Sequence, residues 1–118
     1  MNAQIVKLLK TGRELVSRGW CKQDLFQDAS GQGTASTHYQ EGYSCCAMGG
    51  IYAAKKMANA EEDNYDVAVR LLNSCAPKDF RTKALSVYND APETTKEDIL
   101  ALYDRAIFRM NPEVTLDS

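Results

Sequence analysis

Residues 94–112 read TTKEDILALYDRAIFRMNP, and this stretch decides the fold class. Thr94 followed three residues later by Glu97 is a capping box, in which a hydroxyl and a carboxylate satisfy the orphan amides of a helix start. Ile99, Leu102, Tyr103, Ala106, Ile107 and Met110 then recur at spacings of three and four, which puts them on one face. Pro112 cannot continue a helix, so the pattern closes there and leaves 113–118 as a flexible C-terminal tail.

Working outward, the same period returns four times. Ile5, Leu8, Leu9, Leu15 and Val16 form a stripe ending at Gly19, which predicts a first helix stopped by a left-handed glycine. Gly12 interrupts that stripe at a cost of about 1 kcal/mol, so another backbone should pack close to it. Ala47, Ile51, Ala54 and Ala58 mark a second helix to about Ala60. Tyr65, Ala68, Leu71, Leu72 and Cys75 mark a third, capped by Asp63 and closed by Pro77. Phe80, Ala84, Val87 and Tyr88 suggest a short fourth before an Asx-type turn at Asn89-Asp90-Ala91-Pro92.

Residues 20–43 fit no period. Ser30-Gly31-Gln32-Gly33-Thr34 is turn chemistry, and a small hairpin across Gly31–Gly33 would bring Leu25/Phe26 against His38/Tyr39. Trp20 and Phe26 should tuck into the helical core. The fold expected is therefore mainly α: one domain over residues 1–112, about five helices, and one long irregular segment or small hairpin at 20–43.

Composition narrows the function classes. The 118 residues are 44% apolar and 25% charged, an ordinary globular balance. Residues 1–59 carry seven bases and four acids, and 60–118 seven bases and twelve acids, so a +3 half and a −5 half underlie the net charge of −2. That balance gives no global attraction to nucleic acid or to an anionic membrane. The longest run free of Asp, Glu, Lys and Arg, Gly42–Ala54, is too short to span a bilayer, and no secretory pattern opens the chain. A cytoplasmic, reducing location follows as the expectation, with Cys21, Cys45, Cys46 and Cys75 as free buried thiols. Zinc would need Cys21, Cys45 or Cys46, Cys75 and His38 to converge from separate elements. No cofactor is implied.

The motif succession resembles a known family. Arg18-Gly19-Trp20-Cys21-Lys22, Asp28-Ala29-Ser30-Gly31, Cys46-Ala47-Met48-Gly49-Gly50-Ile51, Tyr88-Asn89-Asp90 and the helix from Thr95 to Ala106 are similar to a family of small bacterial and bacteriophage proteins of unknown function. The resemblance covers about residues 5–107. It departs at Cys45, where the family has an aromatic residue, and at Gly50, where it usually has Ala. It implies a mostly helical domain of bacterial or phage origin and supplies no activity.

The motifs expected to share space supply the candidate site: Trp20, Cys21, Lys22, His38, Tyr39, Tyr43, Cys46, Gly49, Gly50, Asn89 and Asp90. Gly49-Gly50 at a helix start leaves room either for close helix packing or for an anion at exposed amides. Cys46 or Cys21 with His38 and Asp28 or Asp90 would make a nucleophile set, the basis of an alternative reading as a small cysteine-dependent hydrolase or transferase. The first expectation is a non-enzymatic, phage-associated binding protein. It would occupy a host protein or sequester a small anionic host metabolite, such as a nucleotide-like signal, in evasion of host immunity.

Overall fold

The computed structural model describes residues 2–34 and 38–110, and these form one small, mainly helical domain. The elements are α1 (Asn2–Arg18), β1 (Phe26–Gln27), β2 (Ser44–Cys45), α2 (Ala47–Ala58), α3 (Glu62–Ser74), a 3-10 turn at Lys78–Phe80, α4 (Leu85–Asp90) and α5 (Lys96–Met110). Pro112 and the tail at 113–118 lie outside the described residues. No described helix is long and apolar enough to cross a membrane.

The stripes do what their spacing predicts. Ile5, Leu8, Leu9, Leu15 and Val16 of α1 are buried against Ile51, Ala53 and Ala54 of α2 and Ile99, Leu102, Tyr103, Ala106 and Ile107 of α5 in one core. At Gly12, α1 meets both Tyr103 of α5 and the Gly50 backbone of α2. A β-carbon on Gly50 would stand 2.9 Å from the Gly12 carbonyl oxygen and 2.8 Å from Val16, so only glycine fits. The Tyr103 hydroxyl fills the remaining space and donates to the Ala47 carbonyl at 2.6 Å. Burial raises its pKa well above the ordinary tyrosine value. At the opposite edge Arg13 pairs with Asp104, and Arg105 donates to the Cys75 carbonyl at 2.9 and 3.1 Å, giving α3's C-terminal end a partner.

Several local expectations are corrected. The capping box of α5 sits one residue later: Asp98 N donates to Thr95 Oγ1 at 3.2 Å and Thr95 N donates to Asp98 Oδ2 at 2.9 Å. The pair Thr94-Thr95 ahead of Glu97-Asp98 offers two registers, and the helix uses the second. Asp63 does not cap α3 but lies in its first turn, behind Glu61. Gly19 does not adopt a left-handed conformation. It serves by closeness, because a β-carbon there would stand 2.8 Å from Ser44 Oγ. The fourth helix starts later than expected, at Leu85, after the separate turn at Lys78–Phe80. It carries Asn89 and Asp90 as its last residues, so they form no Asx turn.

The irregular segment is anchored at both ends. Asp28 accepts from Ser30 N at 2.9 Å, Ser30 Oγ at 2.6 Å and Gln32 N at 3.1 Å, and the Ser30 hydroxyl is the main cause holding its carboxyl below the usual range. Gly31 takes φ 88 in that turn. The chain reverses there and Gln27 bridges to Gly33, but the strand that pairs with β1 is β2, not His38/Tyr39: Phe26 faces Cys45 and Gln27 faces Ser44. Phe26 is buried, whereas Trp20 is only half-buried at the edge of the core.

Candidate functional site

The motif residues converge where the chain leaves α1, enters α2 and ends α4. Cys45 N donates to the Gly19 carbonyl at 2.9 Å and Cys21 N to the Cys45 carbonyl at 3.2 Å, a short parallel bridge beside β2. Into it projects Asn89, an amide side chain with no solvent exposure. Its Oδ1 accepts from Trp20 Nε1 at 2.8 Å and Ala47 N at 2.9 Å. Its Nδ2 donates to the Cys21 carbonyl at 3.0 Å and Asp90 Oδ1 at 3.0 Å. A primary amide has two donors and one two-lone-pair acceptor, and here every one is used. Asn89 therefore ties α4 to two segments more than 40 positions away in sequence.

The start of α2 is closed in the same way. Cys46 is its N-cap, and its sulfur accepts from Gly49 N at 3.3 Å. Ala47 N is taken by Asn89 and Gly50 N by the Cys46 carbonyl at 2.9 Å. Gly49 lies so close to the Leu25 carbonyl that a side chain there would collide with it. Among the two readings of Gly49-Gly50, the geometry fits close packing: these amides already have protein acceptors.

The Cys21, Cys45 and Cys46 thiols are held protonated. Burial pushes Cys21 up to about 12, with Cys46, Asp24 and Asp90 adding to the shift. Burial likewise raises Cys45 and Cys46, and for Cys46 the Gly49 amide offsets only part of it. All four cysteines are free and buried. The Cys21 thiol is placed to donate to the Asp24 carbonyl at 3.5 Å, as a protonated sulfur does. A thiol nucleophile needs the opposite environment. No three His, Cys, Asp or Glu side chains group as a metal site among the described residues.

Outward from this junction lies a strained edge. Gln23 takes φ 75, left-handed backbone that a non-glycine residue adopts at a cost of about 1–2 kcal/mol. Asp90 holds it there, accepting Gln23 N at 2.9 Å, while Lys22 Nζ donates to the Ala91 carbonyl at 2.7 Å and stands 5.5 Å from the Trp20 ring. The edge overhangs an open recess of about 290 Å³ lined by Gln23, Asp24, Leu25, Cys46, Met48, Ser86 and Asp90. Met48 also lines a second recess of about 420 Å³, shared with Tyr65, Asp66, Val69 and Arg70 of α3. The two hollows meet at this side chain.

Of the residues expected from sequence, Cys46 and Asp90 line the first recess. Trp20, Cys21 and Asn89 form the bonded junction, Gly49 and Gly50 pack, and Lys22 braces the α4 end. His38 is exposed, and neither it nor Tyr39 nor Tyr43 lines the recess. Tyr39 and Tyr43 instead cluster with Phe26, with ring centroids 6.0 to 6.5 Å apart. Asp28 is spent on its own turn. Sequence reasoning missed Gln23, Asp24, Leu25, Met48 and Ser86, for which no local pattern stands out.

No curated protein and no solved structure matches the chain. The sequence pattern of one family does, over residues 2–109, and so includes the Trp20-Cys21 step, the α2 start, Asn89 and α5: the chain belongs to a family of unknown function, DUF6197.

Proposed function

We propose that this chain is a non-enzymatic binding protein that engages a partner protein through the double recess joined at Met48. The observation that carries the reading is the pairing of two adjoining hollows with a backbone edge at Gln23 kept in a strained conformation by Asp90. Strain of that kind persists only where surrounding contacts over-determine it, and it presents Leu25, 39% exposed, at the rim. Leu25, Met48, Tyr65 and Val69 supply apolar surface, and Met adapts its shape to a partner. Asp24, Asp66 and Asp90 against the single Arg70 make the rim acidic, so the occupant is a basic, partly apolar segment.

A small anionic metabolite has less support here, because carboxylates face this recess and its volume lies at the low end for pockets that enclose ligands. The cysteine-dependent hydrolase or transferase also has less support, because burial favours the protonated form of the Cys21 and Cys46 thiols. The wider frame, a bacteriophage protein acting on a host partner in the bacterial cytoplasm, rests on the motif resemblance.

The test combines native mass spectrometry with partner capture. The purified chain should run at its bare mass. It should retain a partner from bacterial lysate that Leu25→Asp and Met48→Asp lose and Met57→Asp, at an exposed site on α2, keeps. A small molecule retained equally by all three variants would refute the proposal.

A further inference from the structure

On the opposite side of α4 is a recess of about 490 Å³, the largest of the hollows described here, which the motif junction does not use. Its lining includes Pro77, Phe80, Tyr88, Pro92, Glu93 and Asp98. The Phe80 and Tyr88 rings lie 5.1 Å apart between centroids at 47°, and the two prolines are exposed at its edges. Arg105 stands near Tyr88, and its guanidinium donates to the Cys75 carbonyl. Glu93 is solvent-exposed, and Asp98 is half-buried with one carboxylate oxygen engaged by the α5 cap.

We propose that this recess binds a small organic cation, an alkylammonium or guanidinium group, between the aromatic pair and the carboxylates of Glu93 and Asp98. Three features converge on that class. Aromatic faces attract cations through their quadrupole, most strongly where water is partly excluded. The two carboxylates supply charge at the same mouth. Lys83, outside the lining, already sets its Nζ 5.6 Å from the Phe80 ring centroid, so that ring meets a cation in the folded protein. An alkylated or planar cation suits the site better than a metal ion, because its apolar groups can replace water against Phe80 and the prolines.

The experiment is an NMR titration of the isotope-labelled full chain with tetramethylammonium chloride and with methylguanidinium chloride, against sodium chloride at matched ionic strength. The organic cations should give saturable shifts at the amides around Phe80, Glu93 and Thr94, with Kd on the order of 1–10 mM, and sodium should not. Phe80→Leu should weaken binding by roughly 3- to 30-fold. Glu93→Gln, at an exposed position with no structural bond, should weaken it several-fold without touching the fold. Lys83→Ala removes a neighbouring positive charge on the Phe80 ring and should tighten it. Shifts that match sodium chloride, or affinity unchanged in both Phe80→Leu and Glu93→Gln, would overturn the proposal. Weaker binding by Lys83→Ala would also count against it.

Discussion

The Asn89 junction and the Met48 recesses lie on either side of the same α2 start, and they treat polar groups in opposite ways. At the junction, every amide, carbonyl and side-chain nitrogen named above has a protein partner, the thiols are protonated, and Asn89 at its centre has no solvent exposure. At the recess, Leu25 is part-exposed, Gln23 sits in costly backbone, and acids stand at the rim without a matching set of bases. The difference separates what the distinctive motif residues do from where the proposed recognition would lie. Trp20, Cys21, Gly49, Gly50 and Asn89 build the platform, Cys46 belongs to both, and less conspicuous neighbours complete the lining of the recesses.

The strongest way to break this comparison is Asn89→Ala. It takes the Asn89 partner from the part-buried Trp20 indole N–H and from the buried Ala47 amide and Cys21 carbonyl, and should cost about 3–5 kcal/mol in urea unfolding. A cost under about 1 kcal/mol would mean the junction is wet and open. Gly50→Ala should follow at about 2–3 kcal/mol, because its β-carbon meets Val16 and the Gly12 carbonyl, of which the backbone atom cannot give way easily. Thr95→Ala should cost about 1 kcal/mol, whereas Thr94→Ala leaves the cap bonds in place, a contrast that checks the capping register by thermal melts.

Gln23→Gly should be near neutral in stability or slightly stabilising, since glycine accepts φ 75 without strain. It should weaken partner binding, by loosening the rim.

The thiols give a pH signature of the closed junction. The folded pKa of Cys21 is raised from 9.0 to about 12, so the folded state holds this proton more tightly than the unfolded chain. That contribution to stability is present in full below pH 9 and is lost as pH rises through 12. Native protein at neutral pH should therefore resist iodoacetamide at Cys21, Cys45 and Cys46, all three alkylating once denaturant is added. Rapid native labelling of Cys46 would reopen the nucleophile reading.

How much of this was legible in the sequence depends on how local each signal is. The helical stripes and the close approach at Gly12 were, because periodicity and a misplaced glycine report directly on packing. The α5 cap was ambiguous, as Thr94-Thr95 and Glu97-Asp98 present the same chemistry in two registers. Asn89 reads locally as a turn former, yet its partners Trp20, Cys21 and Ala47 lie 69, 68 and 42 positions away, a distance over which composition says nothing. Gln23 carries no mark of its left-handed backbone, which is imposed by Asp90 across the junction. The β2 partner of Phe26 was similarly hidden, since two-residue strands have no period to detect.

The most direct test of the central claim is partner retention by Met48→Asp, read by quantitative mass spectrometry beside a thermal melt of the same sample. Met48 is half-buried against the core, so the account predicts a cooperative melt of a folded chain at a temperature lowered by the lost packing, together with loss of the retained partner. A Met48→Asp chain that keeps its partner at parental levels would contradict it.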